Sequence, residues 1–142
     1  MRLTVCLLYT AVLASFGCLS STEPAGELVL TMRNLASVYY GVTFETEESG
    51  VVTNQEMRGA TIELLLASEG STNGRLFIPA DTAGGTDTDV SLQGTWTLAG
   101  NVVTLSQTND SFLKGMSLVF EQTHLTGETV WNGVTYRVVL AL

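Results

Sequence analysis

The sequence predicts an all-β protein, an antiparallel up-and-down β-barrel of about eight to ten strands that follows an N-terminal signal peptide. Apolar and polar residues alternate with a period of two in short segments along most of the chain. Tight-turn signals such as Asn132-Gly133 separate neighbouring segments. Hardly any stretch repeats its apolar residues at helical spacing. Consecutive hairpins with short turns favour a closed barrel, which leaves no exposed edge strand, over the alternative two-sheet sandwich.

The first half of the chain contains four of the predicted strands. In the second of these strands Tyr40 and Phe44 share one face, which we expect to point inward. Asn73-Gly74 precedes the fourth strand and is a strong signal for a two-residue hairpin turn. The four predicted strands span residues 27–33, 37–47, 61–68 and 75–80.

The second half contains five predicted strands and two short connections. Ala99-Gly100-Asn101 joins the first two of them as a tight turn, and Asn132-Gly133 joins the last two. Residues 47–59 and 108–116 are each expected to hold a loop or one helical turn. The five predicted strands span residues 94–98, 102–107, 117–122, 125–131 and 134–142.

Residues 1–17 are typical of an export signal. Met1-Arg2 is a short basic start, and the apolar run of residues 3–14 is shorter than the roughly 20 residues of a membrane span. The sequence "SFGC" then ends in Cys18, which we expect to be acylated after the leader is cut. A disulfide is not expected, because the other cysteine, Cys6, lies inside the leader. The alternative is an ordinary cleavage site without a lipid.

The predicted organisation is therefore a signal peptide at residues 1–17, a lipidated cysteine and polar tether at 18–26, and a barrel domain at 27–142. A lipid on Cys18 would hold the protein on a membrane of the bacterial cell envelope. Leu19, after the cysteine, indicates the outer membrane in the proteobacterial sorting pattern. Without the lipid, the exported protein would be soluble in the periplasm or secreted.

Residues 94–142 carry a family resemblance. The stretches "GTWTLAGNVVTLSQTNDSFL" and "LTGETVWNGVTYRVVL" resemble the C-terminal half of small lipocalin-like bacterial lipoproteins of unknown function. The resemblance implies a lipocalin-like barrel behind a lipoprotein leader, and it implies no catalytic residue. Gly94-Thr95-Trp96 also matches the Gly-x-Trp of true lipocalins. In those proteins it lies on the first strand, whereas here it comes two thirds of the way along the chain.

Charge excludes one class of partner. The chain has a formal net charge of −8, and removal of the leader takes away Arg2 but no acidic residue, which makes it −9. An acidic chain without a basic patch repels phosphate backbones, so no nucleic-acid partner is expected. The expected partners are a membrane, reached through the lipid anchor, and either a small apolar ligand or an envelope protein.

No cofactor, metal or catalytic residue is expected. His124 is the only histidine, and its position between two strands is typical of a solvent-facing turn residue. Glu45 and Glu47 share a strand face, and a close carboxylate pair could serve acid catalysis, but a solvated strand end is the simpler interpretation. The Gly-rich residues 81–91 contain three aspartates, which could bind Ca²⁺ but are more typical of a barrel-mouth loop.

The apolar residues expected to point inward either fill the barrel or line a cavity, since an eight-stranded barrel has room for side chains or one small ligand. A filled core is slightly favoured. The full inward set is Leu30, Tyr40, Phe44, Ile62, Leu64, Phe77, Trp96, Leu98, Leu105, Phe120, Tyr136 and Val138. Its candidates for lining a ligand pocket are Tyr40, Phe44, Leu64, Phe77, Trp96, Phe120 and Tyr136.

The sequence thus favours a non-enzymatic, envelope-anchored binding module whose barrel holds a small apolar ligand. The alternative is a structural or protein-interaction lipoprotein with a filled core. A secreted hydrolase or isomerase is a third hypothesis, which the scattered carboxylates and single histidine support poorly.

Overall fold

The alternating segments form ten β-strands in the computed structural model, which describes residues 29–142. Within these residues, no helix is long and apolar enough to cross a membrane. The elements in chain order are α1 (Met32–Leu35), β1 (Ser37–Glu48), β2 (Val51–Asn54), a 3₁₀ helix (Glu56–Arg58), β3 (Thr61–Leu66), β4 (Ser71–Ile78), β5 (Thr88–Ser91), β6 (Gly94–Ala99), β7 (Val102–Gln107), β8 (Ser117–Glu121), β9 (His124–Trp131) and β10 (Val134–Ala141).

The strands form one antiparallel sheet that closes on itself. Neighbours follow the order β10-β9-β8-β7-β6-β4-β3-β1, and β1 pairs with β10 to complete the ring. β5 and β6 pair with β4 in one continuous register, since Ser91 lies opposite Arg75 and Gly94 lies opposite Thr72. These two short strands therefore share one position in the ring. β2 and β3 also share one position, since β2 pairs with Glu45–Glu48 and β3 with Ser37–Tyr40 on the same side of β1, although in different registers. The predicted up-and-down barrel is confirmed, with eight strand positions and a shape consistent with a lipocalin-like barrel.

The direction of the strands gives the barrel two different ends. One end, which we call the mouth, carries the turn 49–50, the loop 79–87, the loop 108–116 and the turn 132–133. The opposite end, which we call the base, carries α1 and the turns 67–70, 100–101 and 122–123. The described chain therefore enters the barrel at the base.

The base is closed by α1. The helix begins after Thr31, whose hydroxyl accepts a hydrogen bond from the backbone N–H of Asn34 at 3.3 Å. Leu35 at its end is fully buried, and the Leu35 carbonyl accepts a hydrogen bond from the Tyr39 hydroxyl at 2.9 Å. The strand predicted at residues 27–33 is thus wrong from residue 29 onward, and residues 27 and 28 lie outside the described part. Of its apolar residues, Leu30 and Met32 pack against the core without joining the sheet.

A β-bulge in β1 changes which side chains point inward. Gly41 lies opposite Leu140 and Thr43 lies opposite Val139, so Val42 is an extra residue on β1. Tyr39 before the bulge and Phe44 after it are both 1% exposed, whereas Tyr40 is 51% exposed. The predicted inward orientation is therefore correct for Phe44 and wrong for Tyr40, because the bulge breaks the strict alternation that linked them.

The hairpin between β3 and β4 does not turn at Asn73-Gly74. Its turn lies at residues 67–70, where the N–H of Gly70 donates to the carbonyl of Ala67 at 3.0 Å and Gly70 has a φ of +92°. Asn73 and Gly74 lie inside β4, opposite Leu65 and Leu64. The turn predicted at Asn73-Gly74 is wrong. Glycine is required at position 74 because its Cα lies close to the backbone of Glu63 on β3.

Other connections match the prediction more closely. The tight turn between β6 and β7 has Gly100 at a φ of +62°, and Asn132 and Gly133 have φ values of +52° and +80° between β9 and β10. The segment 47–59 contains the expected single helical turn, the 3₁₀ helix, but it also contains β2, which was not predicted. β10 presents Val134, Tyr136, Val138 and Leu140 on one face, as the alternation indicates.

The barrel interior is filled with buried apolar side chains from strands and loops. Three of them come from the loop 108–116, which folds back into the mouth. The buried apolar core consists of Leu35, Tyr39, Phe44, Ala60, Ile62, Leu64, Leu66, Leu76, Leu92, Trp96, Val103, Leu105, Phe112, Leu113, Met116, Leu118, Leu125, Val138 and Leu140.

Candidate functional site

A cavity of about 530 Å³ lies at the mouth of the barrel. This volume is within the range of about 300–1,000 Å³ that is usual for small-molecule sites. Hydroxyl, amide and charged groups make up much of its wall. The lining residues are Thr46, Glu48, Ser49, Val51, Thr53, Gln55, Arg58, Ile78, Pro79, Ala80, Asp81, Thr86, Thr88, Val134 and Tyr136.

One wall of the cavity comes from the hairpin of β1 and β2. Ser49 and Gly50 have φ values of +52° and +80° and form the tight turn between β1, which ends at Glu48, and β2, which begins at Val51. Opposite Thr46, β2 contributes Thr53 from the neighbouring strand. The amide Nε2 of the buried Gln55 donates to the Thr46 hydroxyl at 2.7 Å, which fixes both side chains at the cavity wall.

The opposite wall comes from the loop 79–87 and the residues around it. The Asp87 carboxylate accepts a hydrogen bond from the backbone N–H of Ala80 at 2.8 Å, which holds the two ends of the loop together. Arg58, on the 3₁₀ helix, forms an ion pair with Asp81 at 2.5 Å. This pair links the two walls across the cavity rim.

Tyr136, which lines the cavity, belongs to an aromatic stack. The rings of Tyr136 and Phe112 stack with centroids 4.3 Å apart and planes 9° apart, and Phe44 lies 5.3 Å from Phe112. Burial raises the pKa of the Tyr136 hydroxyl, and the negative charge of Glu48 raises it further. The phenol is therefore protonated at neutral pH and can donate or accept a hydrogen bond. The stack therefore connects a cavity-lining side chain to the buried core.

Of the seven predicted pocket residues, Tyr136 lines this cavity. Phe44, Leu64 and Trp96 are buried in the core, and Phe120 packs against it while partly buried. Trp96 also donates its indole N–H to the Ala67 carbonyl at 2.8 Å, which fixes the ring at the base.

Two predicted residues point outward instead. Tyr40 lies on the outer face because of the bulge in β1. Phe77 lies opposite the exposed Thr61 and Asp89, and Arg75 places its guanidinium 5.2 Å from the Phe77 ring centre on the same outer face. The inward prediction for Phe77 is wrong because its neighbour Leu76 takes the interior position.

Other residues singled out in the sequence lie elsewhere. His124 is at the base, where its Nδ1 lies 3.2 Å from the Thr123 hydroxyl. Glu47 is paired with Arg137 at 2.8 Å, and Arg137 also contacts Glu128 at 2.6 Å, so Glu47 belongs to an outer-face ion-pair network. Cys18, the predicted lipidation site, lies outside the described residues.

The three aspartates of residues 81–91 do not converge. Asp81 pairs with Arg58, Asp87 holds the loop backbone, and Asp89 on β5 forms two contacts with Arg75 at 2.8 and 2.7 Å. Across residues 29–142, no group of three or more His, Cys, Asp or Glu side chains is arranged to hold a metal ion.

Most of the cavity was not apparent from the sequence. Thr46, Thr53 and Thr88 look like ordinary strand threonines, and only the fold brings them together. For Phe112 the sequence holds one usable signal, because Phe112-Leu113 is an apolar pair inside a mostly polar loop. Such a pair indicates a loop that packs inward.

No protein-family model matches the chain, and no curated protein or solved structure is significantly similar to it. The fold and the site therefore define the protein only as a closed eight-stranded β-barrel with a small-molecule-sized cavity at its mouth.

Proposed function

We propose that this protein is a non-enzymatic binding module that holds a small ligand in its mouth cavity. The observation that carries the proposal is a cavity of about 530 Å³ at one end of a barrel that is otherwise packed. Barrel mouths are a common position for ligand sites, because loops there can vary while the strands hold them rigidly.

The geometry favours the mouth over the barrel interior as the binding place. An apolar ligand inside the barrel would have to displace Phe112 or Leu113, both of which are buried in the core. A ligand at the mouth needs no such displacement, and it would meet Tyr136 on one side and threonine hydroxyls on the others. The proposal thus keeps the binding role that the sequence suggests and moves the site to the rim.

The same proposal includes export and an anchor on Cys18 in the bacterial envelope, as in the lipocalin-like lipoproteins that residues 94–142 resemble. The described chain enters the barrel at the base, so an anchor before residue 29 would leave the mouth at the far end of the barrel. A ligand could then reach the cavity from the side away from the membrane.

The anchor is tested by the intact mass of the full-length protein expressed in a bacterial host. We expect the mass of residues 18–142 plus acyl chains, and the loss of the added mass in a Cys18→Ala variant. An unmodified mass that starts at or after residue 18 would mean a soluble exported protein.

Ligand binding is tested by screening a chemically mixed small-molecule library by NMR against the wild type and two tryptophan variants. Thr88→Trp places a large ring in the cavity wall, whereas Thr123→Trp places the same ring at the base. We expect compounds that bind the wild type and Thr123→Trp to lose binding to Thr88→Trp. A library without hits, or hits that Thr88→Trp still binds, would refute the mouth as the site.

One observation favours a second candidate, a protein-interaction module. Tyr40, Val42 and Leu65 are 51%, 49% and 36% exposed on the neighbouring outer faces of β1 and β3. Exposed apolar side chains that adjoin one another are typical of protein-interaction surfaces. Replacing Tyr40 and Val42 by serine is expected to abolish co-purification of an envelope partner while leaving the melting temperature within a few degrees of the wild type.

A further inference from the structure

We infer that the mouth cavity selects a small organic cation, an amine whose carbon skeleton is a few bonds long. The inference rests on the proposed function and names the ligand class for the same site. Its basis is the charge balance of the cavity wall, together with the hydroxyl and apolar groups around it.

The wall carries one carboxylate that is left without a counter-charge. Arg58 and Asp81 neutralise each other in an ion pair at 2.5 Å. Glu48, at the end of β1, is the remaining charged lining residue, and within residues 29–142 no cationic side chain lies within ion-pair distance of it. The wall therefore has a net negative charge, which attracts a cation and repels an anion.

The charge of Glu48 reaches into the cavity. Glu48 and Tyr136 both line the cavity, and the negative charge of Glu48 raises the pKa of the Tyr136 hydroxyl. A ligand ammonium placed above Tyr136 would thus meet the same negative field. The overall net charge of −8 adds a weaker, longer-range attraction for cations.

The remaining lining residues offer hydroxyl oxygens for the N–H donors of an amine and apolar side chains for its carbon atoms. An ammonium group has three N–H donors and no acceptor, and the hydroxyls of Thr53 and Thr88 offer acceptor oxygens. Val51, Ile78 and Val134 supply apolar surface for the carbon skeleton. A bare metal ion would need several oxygen ligands around one point and would make no use of this apolar surface.

The test uses three probes with the same five-carbon chain and different ends. Cadaverine has two ammonium groups, 1,5-pentanediol has two hydroxyls, and glutarate has two carboxylates. Their affinities for the full-length protein are measured by calorimetry at low and high salt, with ¹H–¹⁵N chemical shifts to locate the contact. We expect cadaverine to bind most tightly, to shift residues at the mouth, and to weaken as salt screens the Glu48 charge.

A matched pair of variants separates the local charge from the overall charge. Glu48→Gln removes a carboxylate at the mouth, and Glu121→Gln removes one at the base, so both change the net charge equally. We expect Glu48→Gln to weaken cadaverine binding about three- to tenfold and Glu121→Gln to leave it unchanged.

The contrary outcomes are distinct from a failure of the proposed function. Equal or tighter binding of pentanediol or glutarate at the mouth overturns the cation inference and leaves a ligand site there. Equal effects of the two glutamine variants, or no binding of cadaverine, also overturn the inference. The proposed function itself is decided separately, by whether any library compound is lost on Thr88→Trp.

Discussion

At position 74 only glycine fits, because the backbone of the adjacent strand β3 lies too close for a side chain. Gly74 has a φ of +133°, and a Cβ atom added there would lie 2.0 Å from the carbonyl oxygen of Glu63 on β3. Both facts exclude any larger side chain, because the contact is with backbone and the conformation is one that L-residues rarely adopt. The close approach occurs where β4 changes its pairing from β6 to β5.

Gly74→Ala is therefore expected to destabilise the protein by about 3 kcal/mol or more, measured by chemical denaturation. Gly84→Ala is the control, since Gly84 also has a positive φ, +89°, but has open space around it. That control is expected to cost about 1 kcal/mol from backbone strain alone. Equal losses in the two variants would mean that the contact with Glu63 contributes nothing.

The buried Tyr39 and the partly buried Tyr136 make the stability of the fold depend on alkaline pH. Burial raises the pKa of Tyr39 and of Tyr136, and Glu48 adds to the effect on Tyr136. The folded state thus keeps the phenol protons to a higher pH than the unfolded chain does. Their contribution is fully present below about pH 10, the ordinary tyrosine value, and is lost as pH rises above it.

Tyr136→Phe is accordingly expected to reduce the loss of stability above pH 10, measured as the denaturation midpoint between pH 8 and 11. A Tyr136→Phe slope identical to that of the wild type would refute the assignment.

At the scale of elements, the loop 108–116 contributes as much to the core as a strand does. Phe112, Leu113 and Met116 are buried, and the loop is held by hydrogen bonds between Leu105 and the segment 115–116. Phe112 stacks on both Phe44 in the core and Tyr136, which lines the cavity. The loop therefore closes the interior and shapes the site.

Phe112→Ala is expected to destabilise the barrel by about 3–5 kcal/mol, because it empties space that the surrounding rings cannot fill. Phe77→Ala, which removes the same atoms from the outer face, is expected to cost only about 1 kcal/mol. Should the first variant fail to fold, Phe112→Leu keeps most of the volume and gives a measurable intermediate loss. Similar losses at Phe112 and Phe77 would contradict the assigned core role.

The element scale also shows where the sequence was informative. The hairpin of β9 and β10 follows from alternating residues around Asn132-Gly133, and both signals are local. The turn of the hairpin of β3 and β4 could not be placed in the same way. Asn73-Gly74 has the sequence of a hairpin turn, but Gly74 lies inside β4 and makes a close backbone contact with Glu63 on β3.

At the scale of the whole molecule, closure of the barrel brings together the residues that line the mouth cavity. The pairing of β1 with β10 brings Thr46 next to Tyr136, although the two residues lie at opposite parts of the chain. The cavity is assembled from β1, β2, β4, β5 and β10, and no segment shorter than the barrel contains it. For this reason Tyr136 could be predicted as a pocket residue from the sequence, whereas the threonines around it could not.

The sequence by itself determined that the protein is an antiparallel, all-β meander, because alternation and turn chemistry act over a few residues at a time. The tertiary structure alone decided that the ring has eight positions, that the bulge at Val42 turns Tyr40 outward, and that loop residues fill the interior. It also decided the site. A period of two fixes two faces of a strand, whereas the choice of the inner face and the room left inside depend on every strand that closes the barrel.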